Sequence, residues 1–115
     1  MKYVFAEDIQ RKAEEITKFL FPHIRIESVK CFRSFGTSSR GTIARCHGMA
    51  KIMQKALNID AFYVLEFLTE RFEKMNEEEK TKTIIHELMH IPQNFGGGFK
   101  HHNFVHEGNV NKFYK

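Results

Sequence analysis

Cysteine, proline and long apolar runs are all scarce in this chain, and each scarcity removes a class of protein. Cys31 and Cys46 are the only cysteines, and they form no C-x-x-C pair. Neither a disulfide scaffold nor a cysteine-based zinc site is therefore indicated, and reduced, buried thiols are the expectation. No stretch approaches the roughly eighteen apolar residues of a membrane span, and the N-terminus reaches the acidic pair Glu7-Asp8 before any long apolar region. We expect a cytoplasmic protein with no membrane partner. A basic block is also absent. The net charge is +4, but Lys and Arg are interspersed with Glu along the chain, which describes a solvated surface and leaves nucleic acid an unexpected partner. With only two prolines, no internal repeat and no low-complexity segment, the 115 residues read as one domain, 1–115, with a single core.

What is present is a succession of helical and strand-like patterns. Ile9, Ala13, Ile16 and Leu20 follow helical spacing and Pro22 closes the segment, which predicts a helix over 7–21. Residues 24–68 read as a sheet region. Within it, 24–35 alternate as a strand, Gly36 to Gly41 is turn chemistry, and Thr42-Ile43-Ala44-Arg45-Cys46 looks like the returning strand of a hairpin. Residues 49–57 fit a short helix or an irregular strand equally. Ala61 to Leu68, aromatic and β-branched, is the strongest strand signal; it fits a central strand buried on both faces, or an edge strand onto which an extended peptide could add. Asn76 with Glu79 three residues on forms a capping-box pattern that starts a helix over 76–91, stopped by Pro92. Gly96, Gly97 and Gly98 then permit a sharp turn into a C-terminal helix at 101–114. The fold class expected is α+β: an N-terminal helix, a small three-stranded antiparallel or mixed sheet, and two further helices.

The helix over 76–91 carries the chemistry. His86-Glu87-Leu88-Met89-His90 is an H-E-x-x-H pattern, which puts two imidazoles one turn apart on one helix face with a carboxylate beside them. Two such histidines can hold a zinc ion, and the carboxylate is placed to take a proton from a water that the ion acidifies. A catalytic zinc needs a third protein ligand. His101, His102 and His106, with Glu107 beside them, follow the glycine turn, and spacing leaves each of them open. His47 reads as a hydrogen-bonded or surface histidine, because a fourth protein ligand would close the site. Tyr63, Tyr114 and His101 are candidates for a transition-state donor.

The run from His86 to Pro92, followed by Phe95-Gly96-Gly97-Gly98 and Lys100-His101-His102, resembles the minigluzincins, small zinc metallopeptidases related to phage metallopeptidases. Ala44-Arg45-Cys46-His47-Gly48, Tyr63-Val64-Leu65-Glu66 and Glu70-Arg71-Phe72 extend the likeness upstream, to about residue 40. The resemblance implies a minimal zincin-like domain with one zinc per chain, held by His86, His90 and His102, and with Glu87 as general base and acid. It implies a peptide or protein substrate. It also implies a latent form in which the segment from Gly108 to Lys115 masks the cleft within one molecule or between two. Two rival readings remain: a zinc hydrolase acting on a non-peptide substrate, and a non-catalytic module stabilised by zinc. The intact Glu87 weighs against the second, since a structural zinc site has no use for it.

Overall fold

The most apolar segment of the chain takes the middle of the sheet. The structure is a computed structural model that describes residues 1–38 and 41–92 together with Val110, Asn111 and Tyr114. In chain order its elements are strand β1 (Lys2–Phe5), helix α1 (Glu7–Leu20), a 3-10 turn (Ile26–Ser28), β2 (Val29–Phe35), β3 (Ala44–His47), α2 (Lys51–Leu57), β4 (Tyr63–Leu68), α3 (Thr69–Phe72) and α4 (Glu77–Met89). The four strands form one mixed sheet in the order β1-β2-β4-β3. β2 and β4 run parallel, with Cys31 opposite Leu65, and the two outer pairs are antiparallel.

Strand alternation sends Val29 and Cys31 of β2, and Tyr63, Leu65 and Phe67 of β4, to the same face, where all five are fully buried. α1 packs against β2 and α4, and α4 packs against β3, so this face holds the core. Burying a side chain such as Leu65 contributes about 2 kcal/mol. α1 stops at Leu20 because Pro22 disfavours helical geometry at Phe21, which leaves helical torsions (φ −134°, ψ 67°) and is itself buried in the core.

Three polar arrangements tie the elements together. The buried Gln10 amide of α1 donates to the Val29 carbonyl and accepts from the Cys31 N–H, both at 2.8 Å. It thereby continues, with a side chain, the pairing that β1 makes with the edge of β2. Arg33 of β2 grips Asp8 of α1 through two hydrogen bonds, at 2.6 and 2.8 Å, and reaches Glu73 after α3 at 2.7 Å. Lys80 of α4 meets the other oxygen of Glu73 at 3.2 Å. On the opposite sheet face Glu66 is buried; His47 Nε2 lies 2.8 Å from one of its oxygens and Arg45 lies 3.4 Å from the other. Burial alone would raise the Glu66 carboxyl, but Ser34, His47 and Arg45 beside it outweigh that and hold it below the usual carboxylate range.

The α+β class holds, and several finer expectations are corrected. The sheet has four strands, not three, because Lys2–Phe5 pairs with β2. That strand is four residues long and exposed throughout, so it has no inside-outside alternation to read. The hairpin expected between 24–35 and 42–46 does not form: β3 pairs with β4, and β4 lies between β2 and β3. β4 is therefore central, and its reading as an edge strand is overturned. It is buried on both faces, which only an interior position allows. The region 24–68 also contains the 3-10 turn ahead of β2 and the helix α2. α2 ends on Asn58 in the left-handed conformation (φ 55°), which asparagine tolerates. Of the C-terminal segment 101–114, only Val110, Asn111 and Tyr114 are described, each in helical conformation.

Candidate active site

α4 starts where its cap places it. Asn76 Oδ1 accepts from the Glu79 N–H at 2.9 Å, and the Glu79 carboxylate accepts from the Asn76 N–H at 3.0 Å, so two of the first-turn donors are satisfied reciprocally. Glu77, Glu78 and Glu79 sit against the positive end of the helix dipole. At the other end the N–H groups of His90 and Ile91 bond back three residues, to Glu87 and Leu88. His90 keeps helical torsions as the cap residue, so it stays one turn from His86. The Ile91 carbonyl accepts from His23 Nε2 at 3.2 Å, which fastens this end of α4 to the segment after α1.

The two imidazoles lie side by side, ring centroids 5.3 Å apart and planes at 73°. His86 is partly exposed and His90 is buried. Glu87 is 5% exposed, and its carboxylate lies 4.0 Å from His86 Nε2. Burial pushes its carboxyl up to about 8. A carboxylate kept out of water beside two nitrogen donors suits a neighbouring cation, which would favour its charged form. Cys46 of β3 lies close enough to be affected: burial first, and the Glu87 charge second, push its thiol up to about 12. Both cysteines are free, and at that value Cys46 is an unreactive thiol.

His86 and Glu87 line a cavity of about 460 Å³. Glu79, Lys82 and Thr83 extend the same helix face along it. Gly41 to Ala44, leading into β3, forms further lining, and Met75 and Val110 complete what is described. The lining is more apolar than polar, and its ionisable members are the α4 residues Glu79, Lys82, His86 and Glu87. Lys82 pairs with Glu78 at 3.1 Å and lies 5.1 Å from the centre of the Tyr114 ring.

Of the residues singled out by sequence, His86, Glu87 and His90 come together, whereas His101, His102, His106 and Glu107 lie outside the described residues. Among the described residues no group of three His, Cys, Asp or Glu side chains could hold a metal ion. Among the described residues the two imidazoles supply two of the three donors of a catalytic zinc site, and their type and spacing fit the group. His47 is not brought to the site; it is spent on Glu66 on the far face of the sheet. Tyr63 is fully buried in the core and is not among the cavity's lining, which leaves Tyr114, near Lys82, as the described candidate donor. Sequence reasoning missed Thr42, Ile43, Met75 and Thr83 as lining residues. They match no motif, and only the packing of β3 beside α4 gathers them.

A family model described as "Putative phage metallopeptidase" matches residues 1–114 of the chain. No curated protein and no solved structure matches it.

Proposed function

The chain belongs to this phage metallopeptidase family, and from that premise we propose that it is a zinc-dependent endopeptidase using His86, His90 and His102 as metal ligands and Glu87 as general base and acid. The observation that carries the proposal is the placing of a buried carboxylate against two adjacent imidazoles at the wall of a cavity of about 460 Å³. Zinc, when bound, supplies Lewis acidity toward a water molecule and the scissile carbonyl. Glu87 takes the proton of that water and later delivers it to the leaving amine. Its burial excludes competing solvent from the carboxylate. The paired helix end, held at Ile91 by His23, keeps His90 in register with His86.

β3 is a sheet edge beside α4, and its approach residues line the cavity. An extended substrate peptide pairs along this edge through main-chain hydrogen bonds, leaving its side chains to the apolar lining. Val110 is buried against the same cavity, which supports a latent form in which the C-terminal segment covers the cleft, within one molecule or by self-association. The free thiols suit a cytoplasmic setting.

The test pairs metal content with turnover. Wild type should carry one zinc per chain and cleave casein in a chelator-sensitive manner. Glu87→Gln should keep the zinc and lose roughly 10²-fold or more in turnover. His102→Ala should lose the zinc. A Glu87→Gln protein that cleaved at the wild-type rate would remove Glu87 from the chemistry, and zinc retained after His102→Ala would move the third ligand elsewhere.

A further inference from the structure

α2 is amphipathic, yet it faces the wrong way for a helix folded onto its own domain. At 100° per residue Ile52, Met53, Ala56 and Leu57 share an arc of roughly 140°, with Lys51, Gln54 and Lys55 on the other side. Such a helix ordinarily buries the apolar arc. Here Ile52 is 78% exposed, and Met53, Leu57 and the following Ile59 are exposed as well. No residue of α2 is buried: Lys51 and Lys55 are exposed along with the apolar arc, and Gln54, which donates to the Met49 carbonyl at 2.9 Å, is the one part-buried residue. The apolar arc is presented outward on the short helix that connects β3 to β4.

We infer that α2 and Ile59 form a peripheral docking site for an anionic lipid surface, the apolar side chains entering the interface while Lys51 and Lys55 meet lipid phosphates. Charge favours this occupant. α2 contains two exposed lysines and no acid, and its neighbour Asp60 is faced by Arg25 at 4.0 Å. Area disfavours a second copy of the chain. A seven-residue helix is about 10 Å long, and its few side chains fall well short of the roughly 800 Å² per partner that a stable protein interface buries. A bilayer, by contrast, needs no matching shape. This departs from the expectation of no membrane partner but does not require a span: among the described residues no helix is long and apolar enough to cross a membrane. The inference stands independently of the peptidase reading.

The experiment is vesicle flotation of the full-length chain, with phosphatidylcholine vesicles and with mixed phosphatidylcholine–phosphatidylglycerol vesicles, at low and high salt. Wild type should float with the anionic vesicles at low salt and be released by high salt. Ile52→Ser/Met53→Ser/Leu57→Ser and Lys51→Glu/Lys55→Glu should each reduce the bound fraction about tenfold or more. All five positions are exposed, so unfolding curves should match wild type. Failure of the wild type to float, or flotation of the triple serine variant at the wild-type level, would overturn the assignment. So would concentration-dependent sedimentation that the triple variant abolishes, which would make the occupant a second copy.

Discussion

Replacing Asp8 with Asn isolates the electrostatic tie between α1 and the sheet. The Arg33 guanidinium beside it holds the Asp8 carboxyl well below its usual value of 3.8, at about 2. Taken in full, that depression corresponds to about 2.5 kcal/mol of folding stability at neutral pH. The Asp8 side chain is 68% exposed, so water screens the pair, and we reduce the figure to about 1 kcal/mol. Two hydrogen bonds to a guanidinium that is itself mostly buried keep it above the level of an isolated surface pair. Because the folded pKa is depressed, the contribution is present above the unfolded value, near 4, and fades as pH falls through about 2. Arg33 stays charged throughout, so Asp8 and, through the same contact, Glu73 carry the pH dependence. Thermal unfolding of wild type and Asp8→Asn in the presence of a chelator, so that metal release does not intrude, should show a loss of about 4 °C at pH 7. The gap should narrow steadily below pH 4. Equal stability of the two proteins at pH 7, or an undiminished gap at pH 2.5, would refute the reasoning.

Other outcomes follow from single contacts. Leu65→Ala empties the centre of the core from the middle of β4 and should cost about 3 kcal/mol in urea unfolding; a loss under about 1 would mean that the core collapses around the site. Asn76→Ala removes one half of the capping box and should cost about 1 kcal/mol, with Asn76→Asp close to neutral in the same assay. His47→Ala should leave zinc content by mass spectrometry unchanged, because His47 is bonded to Glu66 on the far side of the sheet; a fall in zinc would make it a ligand after all.

Features decided by neighbours in sequence were the legible ones. The start of α4 depends on Asn76 and Glu79, three residues apart, and the end of α1 on Pro22. The side-by-side histidines follow from helical spacing alone. The order of strands depends on pairings between distant segments. Thr42 to Cys46 looks like the partner of 24–35 because a turn separates them, but Tyr63–Leu68 is more apolar, and burying both its faces requires it to stand between them. β1 escaped notice since four exposed residues carry no periodic signal. The same limit applies to the cavity: Ile43, Met75 and Thr83 mean nothing singly. α2 shows a further limit, because helical amphipathicity was visible in principle, while the direction of its apolar arc is a property of the fold.

The Gln10 amide has a bearing on how copies of this protein meet. A strand as short as β1 would leave the lower part of β2 with an open donor and acceptor, and such openings recruit strands from other chains. By filling both with one side chain, α1 closes that stretch of border to other chains. In the folded chain β2 therefore has one flank closed by β1 and Gln10 and the other taken by β4.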